Sequence, residues 1–193
     1  MENLKAVILA AGEGTRMRSK KPKVLHEILN KTMIDYVIDT AKDCGAREIS
    51  VVVGHKAEEV KAAIAKDGVT FALQAEQKGT GHAVMMVGDF IESNQDILIL
   101  YGDTPLIQGE TLRKLVEKHR QGHFGATVVS AMVENPEGYG RIIRDSDGKF
   151  MKIVEHKDAT AEERCINEIN TGIYIFKGTD LKASLAKLEN HNV

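Results

Sequence analysis

The chain has 193 residues, a formal net charge of -2, a 28% share of charged residues and only 5% aromatics, which suits one soluble globular domain with a sizeable core and argues against a general nucleic-acid binder with a wide basic stripe. No apolar run approaches the ~20 residues of a membrane span, and the N-terminus lacks the hydrophobic stretch of a secretion signal. Cys44 and Cys165 are far apart and have no CxxC context, so they read as reduced cysteines of a cytoplasmic protein and not as a disulfide framework or zinc site.

The first predicted element is a strand at Leu4–Leu9, an apolar run of the kind buried on both faces. It runs into Leu9-Ala-Ala-Gly-Glu-Gly-Thr-Arg-Met-Arg-Ser-Lys-Lys-Pro-Lys23. Met33, Ile34, Val37, Ile38 and Ala41 then recur at helical spacing, with Gly45 as the stop. A strand is expected at Ile49–Val53, a helix at Ala57–Ala65 with Val60 and Ile64 inward, and a strand at Val69–Leu73. A short helix at His82–Val87, a buried strand at Ile97–Tyr101 and a helix at Glu110–Gln121 carrying Leu112, Leu115 and Val116 follow.

This alternation predicts an α/β fold with a mainly parallel central sheet flanked by helices on both faces. After a strand at Thr127–Met132 the rhythm changes. Arg141–Arg144 and Phe150–Val154 flank an Asp-Ser-Asp-Gly turn and read as the hairpin of a small lobe. Ile173–Phe176 is a further strand and Leu181–Leu188 a last amphipathic helix. With no repeat or linker in view, residues 1–193 are expected to form a single domain.

Several of the connections carry chemistry. Small residues at 10 to 12 and 14 let the backbone turn sharply and bring N–H groups to phosphate oxygens. Arg16, Arg18, Lys20, Lys21 and Lys23 then place five cations in eight residues. A glycine pair alone is a tight turn and a basic run alone a solvated face; together they read as a phosphate loop. It is neither a dinucleotide fingerprint, since Met17 stands where a third glycine is needed, nor a Walker A loop, since Gly-Lys-Ser/Thr is absent.

Ligands of open parallel sheets sit beyond the carboxyl ends of the strands, which puts this loop and Tyr101-Gly-Asp103 on one rim. Alone, Asp103 would cap the turn before Pro105; beside a phosphate loop it reads as a carboxylate for a hard cation. Gln74 and Gly79-Thr80-Gly81 could read the edge of a pyrimidine, or simply turn the chain into a helix with Thr80 as N-cap. Gly138-Tyr-Gly-Arg141, Glu155 and Asn170-Thr-Gly172 suit sugar hydroxyls and equally suit turns. His119 and His123 have helical metal-ligand spacing but read as surface residues with Gly122 ending the helix between them; nothing marks His26 or His82 as a base.

In order along the chain, LAAGEGTRM with Pro22-Lys-Val-Leu-His26, LQAEQKGTGHA, LYGDTPLI, GYGRI, IVEHKDAT and EINTGIY resemble the sugar-phosphate nucleotidyltransferases. Within them, Pro22-Lys-Val-Leu-His and Gly79-Thr-Gly-His point to the pyrophosphorylase domains of the bacterial bifunctional N-acetylglucosamine-1-phosphate uridyltransferase/glucosamine-1-phosphate acetyltransferases. The resemblance implies a Rossmann-like nucleotidyltransferase fold. It implies transfer of a uridylyl group from UTP to N-acetylglucosamine 1-phosphate, giving pyrophosphate and UDP-N-acetylglucosamine, a precursor for cell wall and lipopolysaccharide.

Carried over by motif, Arg16 and Lys23 would be catalytic and Asp103 would hold Mg2+. Leu9, Ala10, Ala11, Gly12, Gly14, Lys23, Gln74, Gly79, Thr80 and Gly81 would bind the nucleotide, and Tyr101, Gly102, Gly140, Glu155, Asn170 and Thr171 the sugar. The family's domain continues past this chain's last helix to a further metal-binding asparagine and a hexapeptide β-helix through which full-length members form trimers. The expectation is therefore a C-terminally truncated domain, monomeric or weakly associating, without acetyl transfer. The alternatives are a nucleotidyltransferase for another base or sugar, or a nucleotide-binding fragment without turnover.

Overall fold

The computed structural model of the protein describes residues 3–14, 17, 19–64 and 66–188. Arg16 and Arg18 of the expected cation cluster, and the end of the second expected helix at Ala65, lie outside these residues. In chain order the elements are β1 (Leu4–Ala10), β2 (Glu27–Ile28), β3 (Lys31–Thr32), α1 (Met33–Asp43), β4 (Glu48–Val53), α2 (Ala57–Ala63), β5 (Val69–Leu73), α3 (Thr80–Met85) and β6 (Asp96–Tyr101). They continue as α4 (Gly109–Gln121), β7 (Ala126–Met132), β8 (Arg141–Arg144), β9 (Phe150–Val154), α5 (Ala161–Arg164), β10 (Glu168–Lys177) and α6 (Gly178–Leu185). The chain folds as two compact units: residues 1–127 with 175–193, and residues 128–174.

The first unit is built on parallel strands in the order β5-β4-β1-β6. All seven residues of β1 are buried, as both faces of a central parallel strand must be when helices cover them. Lys5 interrupts the apolar run. Its ammonium is paired with Glu92 at 2.7 Å and Glu48 at 3.2 Å, so its stem can be buried while the charge is met. Burial pulls the Lys5 pKa down, but the bonds to Glu92 and Glu48 outweigh this and leave it raised above 10.5.

α1 starts where Thr32 accepts a hydrogen bond from the Asp35 N–H, and it buries Ile34, Val37, Ile38 and Ala41. It stops in a Schellman turn: Gly45 takes φ +99°, its N–H donates to Lys42 O, and the Ala46 N–H donates to Ala41 O. The hairpin of β2 and β3 was not foreseen. Its turn puts Leu29 and Asn30 both at positive φ, and leucine in place of an Asn-Gly pair hides that signal.

α4 buries Leu112, Leu115, Val116 and His119, an i, i+3, i+4, i+7 stripe. His119 is therefore a core residue and not the surface residue expected, whereas His123, past the helix end, is exposed. The His119 Nδ1 is 2.9 Å from the Thr127 hydroxyl, and burial pushes its pKa below 6.5. Among the described residues, no helix is long and apolar enough to cross a membrane. Cys44 is buried, Cys165 exposed, and both are free thiols.

The second unit is antiparallel. β8 and β9 form the expected hairpin with Arg141 opposite Val154, and Ile169 of β10 pairs with Arg141. The Asp145 carboxylate accepts from the Asp147 and Lys149 N–H groups, which shapes the turn. Arg144 grips Glu168 through two 2.7 Å bonds, and Ser130 donates to the same carboxylate.

The Arg144 guanidinium, helped by Ser130, holds Glu168 down to about 2 from an ordinary 4.5 against the upward push of burial. This stabilisation is complete above pH 4.5 and is lost as pH falls towards 2. Arg144→Gln is expected to lower stability at pH 7 and to flatten the acid slope, because the group that holds Glu168 ionised is gone. Urea unfolding at pH 7 and pH 3 checks this; parallel curves for the two proteins would contradict it.

Candidate functional site

β1, β5 and β6 all end on one rim, with Leu9 beside Tyr101 in the parallel register. The chain moves from β1 outward to β4 and β5, then returns to β6 on the opposite side of β1. Connections diverge at that switch point, and a crevice opens beyond the strand ends. A cleft of about 390 Å3 lies there, lined by Leu9 to Gly12, Gly14, Lys23 and Val24 on one side. Gln74, Gln77, Gly79, Thr80, Ala83, Tyr101 and Asp103 complete it. Residues separated by about ninety positions thus meet in one place.

The loop after β1 is pinned from several directions. The Ala11 carbonyl accepts from the Gln77 side-chain amide at 2.8 Å and from the His55 N–H at 3.3 Å. Gly14 sits at φ +63°, and a Cβ there would lie 2.8 Å from Lys23 Cβ. Glycine is needed at that position twice over, for the left-handed backbone and for the approach of Lys23. A Cβ on Gly12 would meet no atom of the described residues within 4 Å.

Lys23 opens a 3-10 turn that runs to Leu25. Its Nζ donates to Asp103 Oδ2 at 2.5 Å, so the cation and the carboxylate of the cleft form an ion pair. Lys21 instead pairs with Glu27 at 3.0 Å, and of the cluster's described residues Lys23 is the one that lines the cleft. Arg16 lies outside them.

Gln74, buried, follows β5 directly. Its Nε2 donates to the Gly79 carbonyl at 3.1 Å and lies 3.0 Å from His82 Nδ1. Gly79 is the N-cap of α3 at φ +95°, with no side-chain cap, so Thr80 is the first helical residue and not the cap expected. The Thr80 hydroxyl instead lies 3.3 Å from the Tyr101 hydroxyl.

Two expected site residues have packing roles. A Cβ at Gly81 would meet the Leu188 side chain at 3.0 Å, and one at Gly102 would press on Val24 and Ile34. The remaining four belong to the second unit. There the Asn170 N–H donates to the Gly140 carbonyl at 2.9 Å, and a Cβ on Gly140 would lie 3.1 Å from a Glu155 carboxylate oxygen, so these three share a corner. The Thr171 hydroxyl is tied to the Val129 carbonyl at 2.6 Å.

Val24, Gln77, Ala83 and Gly54 are contributors that sequence reasoning passed over. Gly54 directly follows β4 on the same rim, and a Cβ there would lie 2.8 Å from Ala11 O and 3.1 Å from Gln74 O. One missing side chain lets both loops of the cleft close on each other; a glycine at a strand's carboxyl end is the signal that marks it. Gly54→Ala should destabilise the fold by about 1–3 kcal/mol, because backbone must move to admit the methyl. An unchanged thermal midpoint would contradict it.

Asp103 has the chemistry of a hard-cation ligand, a partly exposed carboxylate beside the glycine loop. Among the described residues, no three His, Cys, Asp or Glu side chains gather to hold a metal ion. A cation at Asp103 would therefore draw most of its oxygens from water or from a bound phosphate.

A family profile described as Nucleotidyl transferase matches residues 5–192. The chain is 54% identical over 189 residues to the Bifunctional protein GlmU of Alkaliphilus metalliredigens, covering 98% of this chain and 41% of that one. It is 50% identical over 190 residues to the protein of the same name from Clostridioides difficile, again covering 98% and 41%. The Acetivibrio thermocellus protein of that name is also 50% identical, over 193 residues. The chain thus spans about two fifths of the length of the curated relatives it matches. A solved Bacillus anthracis structure assigned as a glucose-1-phosphate thymidylyltransferase superposes with a TM-score of 0.80 at 21% identity, covering 96% of this chain and 79% of that one, and shows the fold to be the same.

Proposed function

The chain belongs to the nucleotidyl transferase family, and on that premise we propose that it transfers the uridylyl group of UTP to N-acetylglucosamine 1-phosphate. A phosphate oxygen of the sugar phosphate attacks the α-phosphorus in line. The bond from that phosphorus to the α–β bridging oxygen breaks and pyrophosphate departs with the electron pair. No covalent enzyme intermediate is needed, so the protein acts by positioning and by neutralising charge. The observation that carries the reading is the meeting of the glycine loop, Lys23, Asp103 and Gln74 in one cleft at the switch point of the sheet.

On this reading each residue of the cleft takes a role, and Arg16, outside the described residues, takes its role from the sequence motif alone. The loop of Ala10 to Gly14 receives the triphosphate, and Lys23 neutralises the reacting phosphates; Arg16 adds a second cation for the leaving pyrophosphate. Asp103 would hold a divalent cation, taken as Mg2+, which would supply charge neutralisation at phosphate oxygens. Gln74 reads the base with the Gly79 and Thr80 backbone beside it. Gly140, Glu155 and Asn170 of the second unit are the groups proposed to bind sugar hydroxyls. The protein acts in the cytoplasm, where both substrates are made and where its two free thiols persist.

Pyrophosphate release with Mg2+ from a panel of four nucleoside triphosphates and several sugar 1-phosphates tests the proposal. Preference for UTP with N-acetylglucosamine 1-phosphate supports it. Preference for another base or sugar would move the chain to another branch of the family, and tight nucleotide binding without release would make it a binding module.

A further inference from the structure

Resting on the reading of Gln74 as the group that meets the base, we propose that His82 is a specificity-determining residue that makes Gln74 read uracil and refuse cytosine. A primary amide offers two N–H donors and one carbonyl acceptor. The Gly79 carbonyl takes one of the Gln74 donors at 3.1 Å and fixes the amide's orientation, because the flipped amide would set oxygen against oxygen. The second donor faces His82 Nδ1 at 3.0 Å. That nitrogen accepts, which assigns His82 as the neutral tautomer protonated at Nε2.

With both donors spent inside the protein, Oε1 is the one hydrogen-bonding atom that Gln74 has left for a ligand. An acceptor suits the N3–H of uracil and opposes the N3 lone pair of cytosine. Without His82 the second N–H is free to turn to a ligand acceptor, and the cytosine edge becomes acceptable. The near burial of Gln74, at 4% exposure, makes a mismatch costly because water cannot relieve it. His82 touches neither base nor phosphate in this scheme; it positions Gln74 from the side away from the base.

The test is calorimetric binding of UTP and CTP to the wild-type chain, Gln74→Ala, His82→Leu and His82→Asn, each checked for native circular dichroism. His82→Leu is expected to lower the UTP-over-CTP ratio about tenfold, mainly by tighter CTP binding, a gain that general loosening of α3 does not produce. His82→Asn offers an acceptor near the place of Nδ1 and should keep the ratio within about threefold of wild type. If Gln74→Ala removes the preference but His82→Leu keeps it, or weakens both nucleotides equally, the role of His82 is refuted while the base reading stands. Should His82→Leu not fold, a folded His82→Asn protein whose ratio collapses refutes it instead. A wild-type chain with no preference, or a Gln74→Ala chain with the full preference, overturns the base reading and this inference together.

Discussion

Lys23→Ala is expected to lose about 100-fold or more in nucleotidyl transfer while remaining folded, because a preorganised charge at a phosphoryl transition state is worth that much. The substitution keeps Cβ, the atom packed against Gly14, so the loop retains its seat. What disappears is a partly exposed ion pair to Asp103, 33% and 28% exposed, worth about 0–1 kcal/mol to stability. A second effect of opposite sign should accompany the first. Freed of its lysine, Asp103 should bind Mg2+ more tightly in the absence of nucleotide. Lys23→Arg should restore turnover only in part, since a planar guanidinium cannot replace a compact ammonium at 2.5 Å from a carboxylate. Turnover equal to wild type in a folded Lys23→Ala protein would remove Lys23 from the chemistry.

Asp103→Ala should be as damaging to turnover, and its binding behaviour separates the metal role from a merely structural one. In the wild type, Mg2+ should bind weakly alone, because Lys23 occupies the carboxylate and one carboxylate is a poor site for an ion that sheds water reluctantly. It should bind well with UTP, whose oxygens complete the coordination and draw Lys23 away. In Asp103→Ala the enhancement of UTP binding by Mg2+ should vanish. UTP binding without metal should hold or improve, because an anion has been removed from beside a triphosphate. Calorimetry with and without Mg2+ measures all of this, and a full Mg2+ enhancement in Asp103→Ala would place the metal elsewhere.

Most of the fold was legible because the alternation of strand and helix periods in the first 121 residues is regular, and β5, β8 and β9 have the bounds expected. The candidate cleft was legible where one local motif carries its lining. The glycine loop, Gln74 and Asp103 each follow a recognisable strand, and parallel topology alone puts them on one rim. What could not be read was pairing at a distance. Nothing near Lys23 in sequence announces Asp103, and nothing near His119 announces Thr127. His119 was nonetheless within reach, since it completes the apolar stripe of α4. His82, which nothing in the sequence marks as a base, has as its partner an amide eight residues earlier, and such a hydrogen bond leaves no compositional trace.

The two thiols give the molecule a built-in clock. Cys165 is exposed and should react with a thiol reagent at once, whereas Cys44, buried where α1 ends and pushed up in pKa by that burial, must wait for the structure around it to open. Its labelling rate in native buffer, referred to that of the unfolded chain, reads the free energy of that opening directly. If the Cys44 rate tracks global unfolding, the Schellman turn and the core beneath α1 belong to the last part of the protein to give way. If it is faster, the end of α1 frays on its own, and the chain reports this without a single engineered residue.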